Sequence, residues 1–244
     1  MPKQGEIEYL QKIGEHGIQH AIDKPFSDPN CGTYLMELGA VMNLLPAPPA
    51  QILDLGCGTG WTSCLLARRG YRVTGQDIAE DMIEHALYNK ERYQVDTAEF
   101  VACDYESMPF EEEFDGALFF DSLHHSVSET DALRMVHRAL KPGGVCVTSE
   151  PGRGHADSAD ARHAVETYQV TERDMPPERI IRAGRQVGFR RFCVYPHTKP
   201  LSLLVFGAYP DSRLHKLPTW LRGLAALYAI LIKKRATGIV VLEK

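Results

Sequence analysis

The sequence predicts a single α/β domain built on a mostly parallel sheet with helices on both faces. Three observations carry this. Strand-like apolar runs alternate with helical stretches from Gln51 to Ser149, the order of successive βαβ units. A glycine loop, Gly56-Cys57-Gly58-Thr59-Gly60, joins the first such strand to the first such helix. The hydrophobic fraction, 44% of 244 residues, is enough to bury a full core.

The elements follow in order. Glu6 to Ala21 can form a helix, because Ile7, Leu10, Ile13, Ile18 and Ala21 are spaced to share one face. Lys24-Pro25-Phe26-Ser27-Asp28-Pro29 breaks it, and a second helix is expected from about Gly32 to Leu45, ended by Pro46, Pro48 and Pro49. Ile52–Leu55 then reads as a short buried strand, Trp61–Arg69 as a helix stopped by Gly70, and Tyr71–Gln76 as a strand. Ala79 to Tyr93 is helical, with Met82, Ile83, Ala86 and Leu87 on its inner face. Strands are expected at Glu99–Ala102, Asp115–Phe120 and Val145–Ser149, with a helix from Glu129 to Leu140 between the last two. Beyond them, Gly152–Asp160 reads as a loop, Pro177–Val187 as a helix, and Arg191–Tyr195 and Gly238–Leu242 as strands.

Composition excludes several classes. The net charge of −5 argues against a broad nucleic-acid surface. The six cysteines, Cys31, Cys57, Cys64, Cys103, Cys146 and Cys193, form no CxxC pair, so zinc-ligand spacing is absent and a reduced, cytoplasmic setting fits. The polar N-terminus has no signal-peptide core. No apolar run reaches the ~18 residues of a membrane span.

The glycine loop is the first chemical signal. Glycines leaving a buried strand admit positive φ and let a ligand approach the backbone, while the helix start offers N–H donors to a negative group. The spacing is GxGxG rather than the GxGxxG of dinucleotide folds. Asp77, 17 residues past Gly60, can accept both hydroxyls of a ribose or cap the following helix. Asp104, after the third strand, can accept from an adenine amino group or simply turn the chain.

With Ile52–Gly60, Val73–Ile78, Ala102–Asp104, Phe114–Leu118 and Leu140–Gly144 in this order, the chain resembles the class I S-adenosylmethionine (SAM)-dependent methyltransferases. The resemblance covers roughly residues 50–150. It implies a Rossmann-like, seven-stranded sheet whose last strand is antiparallel, with SAM as cofactor and S-adenosylhomocysteine as product. It places Gly56, Gly58 and Gly60 beside the methionine part, Asp77 on the ribose and Asp104 near the adenine. It brings backbone near Asp121 to the methionine amino group. Asp54, Cys57, Thr59, Ile78, Met82 and Tyr105 complete the expected cofactor set.

The expected organisation is one domain: residues 1–50 a helical lid, 51–150 the SAM-binding core, and 151–244 a substrate-side half. The last includes an insertion at about 198–236. Methyl transfer to a hydroxyl is helped by a base, and His125 or His124, just past the fourth strand, suits that role. Glu150 is a further catalytic candidate, with His155 and His163 weaker ones. Either histidine could instead pack under the cofactor, and Glu150 could accept N–H bonds in the Pro151–Gly152 turn. Tyr34 could reach the cofactor carboxylate, with core packing the preferred role.

No metal is expected, since no Asp–Asn partner to Asp121 follows the fifth strand. The expected reaction is methyl transfer to a small-molecule acceptor, a hydroxyl first and a sugar or glycan among the candidates. N- or C-methylation of a metabolite, or a non-catalytic SAM-binding subunit, are the alternatives. In the insertion, Leu201 and Leu203–Phe206 form an apolar run, and Trp220–Ile232 is apolar and ends in Lys233-Lys234-Arg235. It is read as a lid or homodimer helix ahead of peripheral membrane contact through 217–235.

Overall fold

The computed structural model describes residues 2–198, Ser202, 216–232 and 236–244. The apolar run at 201 and 203–206 and the basic run at 233–235 lie outside the described residues. Seven strands form one sheet: β1 (Gln51–Leu55), β2 (Arg72–Asp77), β3 (Ala98–Ala102), β4 (Phe114–Phe120), β5 (Leu140–Ser149), β6 (Arg191–Pro196) and β7 (Gly238–Glu243). Their spatial order is β3-β2-β1-β4-β5-β7-β6. Strands β1 to β5 pair in parallel, and β7 runs antiparallel between β5 and β6. This is the Rossmann-like arrangement the sequence implies, and it makes a crevice where the strand order reverses beside β1.

Alternation along the central strands builds a core on each face. Leu53, Leu55, Ala117 and Phe119 point to one side. There they meet Ala132, Leu133 and Val136 of the helix Glu129–Ala139, and Ile180 and Ala183 of the helix Pro177–Val187. Ile52 and Leu118 point to the other. There they pack with Cys64, Leu66 and Ala67 of the helix Trp61–Arg69, and with Val41 of the helix Cys31–Leu44. In a further helix, Glu80–Tyr93, Ile83 and Ala86 are buried as the pattern predicts, while Leu87 is 47% exposed.

The N-terminal region differs from a single helix over 6–21. It forms α1 (Pro2–Ile7) and α2 (Tyr9–Ile22), and α2 is itself interrupted at Gly14, where φ is 69°. Glycine adopts that backbone at little steric cost, so the apolar periodicity continues across a break. Calling the remaining helices in chain order, α3 is Cys31–Leu44, α4 Trp61–Arg69, α5 Glu80–Tyr93 and α6 Glu129–Ala139. A helix absent from the sequence reading, α7 (Ala159–Tyr168), starts where Ser158 accepts the N–H of Ala161. Helix α8 is Pro177–Val187, and α9 is Thr219–Leu231 in the insertion.

Candidate active site

The carboxyl ends of β1, β2 and β4 converge on the glycine loop. Gly56, Gly58 and Gly60 have φ of 66°, 53° and 76°, backbone that L side chains rarely adopt. At Gly56 a Cβ would fall 2.7 Å from Ser122 Cβ, and at Gly60 it would fall 2.8 Å from the Phe100 ring. At Gly58 it would face open space, with only Met82 Sδ nearby at 3.9 Å. Two of these glycines therefore let the loop close on the protein, and the middle one leaves room for a ligand.

Two cavities flank the loop. One, of about 280 Å³, holds Gly56, Gly58, Asp77, Ile78, Met82, Asp104, Tyr105, Asp121 and His125. The other, of about 430 Å³, holds Cys57, Thr59, Trp61, Tyr34 and His20, and shares Gly56, Gly58, Met82 and Asp121 with the first. A third, of about 380 Å³, lies over the ends of β4 and β5 and is lined by Tyr34, Glu37, Glu150 and His197. Asp121 lines all three. Its φ of 58° is a left-handed conformation that aspartate tolerates better than most residues. Helices α1 to α3 supply Lys3, Glu6, Tyr9 and Tyr34 to these walls, and the connection between α2 and α3 supplies Lys24. Thr59 Oγ1 donates to Ala21 O at 2.7 Å, and Asn89 Nδ2 donates to both Ile22 O and Thr59 O. The end of α2 is thereby tied to the loop.

Asp77 both lines the cavity and caps a helix. Its Oδ2 accepts the Gly58 N–H at 2.9 Å, and its Oδ1 accepts the Ala79 N–H at 3.0 Å. Burial raises its pKa against those bonds. Asp104 lines the same wall, but it forms an ion pair with Lys3 of α1, and its Oδ1 accepts the Glu106 N–H. An adenine amino group would meet this carboxylate already engaged. Tyr105 donates to Ser122 O at 3.3 Å and packs edge-on against Phe119.

Asp54 and Gly60 do not line the cavities. Asp54 is 1% exposed and accepts the hydroxyls of Thr62 and Ser63, each at 2.6 Å. It joins β1 to the start of α4 rather than contacting the cleft. Gly60 packs against Phe100 and Ala86.

The three catalytic candidates separate by burial. Glu150 is 2% exposed and accepts four hydrogen bonds: from the N–H groups of Ser122, Leu123 and His124 and from His124 Nδ1 at 2.8 Å. Burial alone would raise its pKa, but His124 and these N–H groups outweigh it and hold the carboxylate ionised. It shapes the turn after β4, not its own turn at Pro151–Gly152, and so is a positioning group rather than the base. His124 is 3% exposed between Glu150 and Glu172, whose Oε2 lies 3.3 Å from its Nε2. Burial opposes its charge, but the two carboxylates win and lift its pKa to about 10. Its two ring nitrogens thus face carboxylates rather than a cavity.

His125 lines the first cavity. Its Nδ1 lies 2.6 Å from Thr171 O and 3.6 Å from Glu6 Oε1. A carbonyl so placed requires Nδ1 to carry hydrogen, which leaves Nε2 the lone pair in the neutral ring. Burial and the neighbouring His124 lower its pKa, and Glu6 and Glu172 more than offset them, so the net shift is upward.

His155 Nε2 lies 2.6 Å from Glu172, which places it in the same network. His163 is exposed and pairs with Thr167, away from the cavities. Ligand-type atoms of His124, His125 and Glu172 fall within 4.8 Å of one another. Within this group Glu172 Oε2 pairs with His124 Nε2 at 3.3 Å.

Four acidic or basic residues escaped the sequence reading. Glu6 accepts the Thr171 N–H at 2.7 Å, Glu172 gathers three imidazoles around it, and Glu37 pairs with His197. Glu37, in α3, also accepts from Ser149 and Thr198, and His197 with Thr198 lowers its pKa to about 2 despite burial. Each stands alone in sequence, so no motif or spacing marked it. Tyr34 packs edge-on against Trp61, their ring centroids 6.2 Å apart.

Residues 53–148 match a family model described as a methyltransferase domain. The chain is 34% identical over 134 residues to a SAM-dependent Diels-Alderase of Talaromyces variabilis, covering 52% of this chain and 44% of that protein. It is 33% identical over 159 residues to a 24-methylenesterol C-methyltransferase of Oryza sativa subsp. japonica, covering 61% and 44%. The chain thus spans less than half the length of these curated relatives. Its fold is similar to a Haemonchus contortus phosphoethanolamine N-methyltransferase solved with SAM, with TM-score 0.66, 19% identity, and coverage of 97% of this chain and 59% of that one.

Proposed function

Because the chain belongs to the class I SAM-dependent methyltransferase family, we propose that it moves a methyl group from S-adenosylmethionine to a small-molecule acceptor, leaving S-adenosylhomocysteine. The observation that carries this is one cavity holding Gly56, Gly58 and Asp77 together with His125. The residues fit the cofactor: Gly58 opens onto free space, Asp77 offers a carboxylate to ribose hydroxyls, and Ile78, Met82 and Tyr105 give an adenine apolar walls. The acidic lining, with Glu6, Asp77, Glu106, Asp121 and Glu172, suits a cationic sulfonium. When bound, SAM supplies an electrophilic methyl group.

The acceptor is a hydroxyl, with sugars and glycans among its candidates, and His125 takes its proton. Thr171 O fixes the imidazole tautomer so that Nε2 can accept. His124 and Glu150 hold the turn that carries His125. No metal is needed for this step, because the proton has a protein acceptor. Helices α1 to α3 act as a lid whose inner residues complete the walls. A second reading, methylation of an amine, is favoured by the same carboxylates, which would hold an ammonium group that gives one proton to His125 Nε2 before its nitrogen lone pair attacks the methyl. Carbon methylation is the reaction named for the rice relative.

Calorimetric titration with SAM and with NAD, followed by a screen of hydroxyl, amine and carbon acceptors with methyl-labelled SAM, tests these readings. SAM binding with label on oxygen, lost in His125→Ala, is expected. Label only on nitrogen or carbon would refute the hydroxyl assignment, and no SAM binding would refute the whole reading.

A further inference from the structure

Helix α9 carries Trp220, Leu224, Leu227, Tyr228 and Leu231 at steps of 4, 3, 1 and 3 residues, which places them on one helical face. That face is not packed on the domain: the five side chains are 66, 56, 50, 60 and 53% exposed, and Ile232 just beyond is 50% exposed. The helix rests mainly against β6. A lid helix would bury this stripe.

The charge around it is one-sided. From Ser212 to Leu242 the sequence has no Asp or Glu and six cations: Arg213, Lys216, Arg222, Lys233, Lys234 and Arg235. With −5 for the whole chain, the remainder carries −11. Two copies meeting through this face would bring like charges together, which disfavours a dimer. An anionic bilayer offers the opposite charge and an apolar layer beneath it. At ~1.5 Å per residue the 13-residue helix is about 20 Å long, short of the ~30 Å hydrocarbon core. No helix among the described residues is long and apolar enough to cross a membrane.

We propose that α9 is an interfacial helix that docks the protein on anionic lipid bilayers, its apolar stripe lying flat at the headgroup boundary. Trp220 and Tyr228 sit on that stripe, where rings with a polar edge are favoured. The cations that flank it in sequence supply the charge that complements anionic headgroups. His197 and Thr237, at the two ends of the insertion, both line the cavity over β4 and β5.

The test is co-sedimentation of the full chain with vesicles of pure phosphatidylcholine and of phosphatidylcholine containing about one third phosphatidylserine. Binding to the anionic vesicles at low salt is expected to be at least about tenfold tighter, and to fall at least about tenfold in ~0.5 M NaCl. Each cation contributes about fivefold, so Lys233→Glu with Lys234→Glu should weaken binding by at least about 25-fold without touching the helix. Leu224→Asp with Leu227→Asp should weaken it at least about tenfold with the circular dichroism spectrum unchanged. No binding at low salt, or equal binding to both vesicles, would overturn the proposal. So would a dimer in sedimentation velocity that Leu224→Asp dissolves, because a second copy would then cover the stripe.

Discussion

Replacing Asp77 by alanine separates the two roles of this carboxylate. In the protein without ligand it accepts two backbone N–H bonds, from Gly58 at 2.9 Å and Ala79 at 3.0 Å. Hydrogen bonds to a charged group contribute about 1.5–3 kcal/mol each. Burial already raises the Asp77 pKa, so the lower figure applies, and the two bonds together give about 3 kcal/mol. For a chain of this size that is a fall in Tm of about 6–12 °C. The ribose hydroxyls would lose a further ~1–3 kcal/mol of binding, a Kd about 5- to 150-fold weaker. Calorimetry with S-adenosylhomocysteine at pH 7 and differential scanning calorimetry without ligand read the two quantities independently. A folded variant whose Kd stays within about twofold of wild type would return Asp77 to its helix-capping role alone. An unchanged Tm would show that the two N–H bonds do not hold the loop.

The remaining predictions concern the turn after β4 and its partners. His125→Ala should lower kcat by about 10²–10⁴-fold with SAM affinity unchanged, and normal turnover would remove it as base. Because its pKa is raised, the basic form appears only above the ordinary 6.5, so kcat should still be climbing at neutral pH; a plateau already reached near pH 6 would contradict this. Gly58→Arg fills the space before Met82 and should abolish cofactor binding in a folded protein, checked by calorimetry and circular dichroism. Glu150→Ala leaves the buried N–H groups of Ser122, Leu123 and His124 without their acceptor and removes one of the two carboxylates beside His124, and should cost about 3–5 kcal/mol, seen as a lower urea midpoint. His124 has its folded pKa raised from 6.5 to about 10, so its stabilisation is complete below pH 6.5 and is lost as pH rises through about 10; urea midpoints across that range check the sign. Glu37 is lowered from 4.5 to about 2, so its stabilisation holds above pH 4.5 and is lost as pH falls toward 2.

The glycine loop and the carboxylates near the strand ends were legible in the residues because they follow from backbone requirements. Gly56, Gly58 and Gly60 must take positive φ in a short turn between a strand and a helix, and Asp77 and Asp104 fall at strand ends. Strand period and glycine spacing are local, so they read off directly. Asp54 misled for the same reason: it lies beside the loop in sequence, but alternation along β1 turns it toward Thr62 and Ser63. Helix α7 and the break at Gly14 were not legible, since a weakly amphipathic polar helix and an interrupted apolar face leave little periodic trace.

By itself, then, the sequence determined the sheet, the crevice beside β1 and the glycine cradle, because each follows from short-range sterics and apolar period. Only the tertiary structure decided which titratable groups do what. Glu6, Glu37, Glu150 and Glu172 come from four separate stretches of chain, and their meeting with His124, His125 and His197 raises the pKa of each ring. A pKa is set by burial and by charges a few ångströms away, and neither is a property of neighbours along the chain. That is why two adjacent histidines, equal candidates in the sequence, become a buried cation that holds the turn and a ring that faces the cavity.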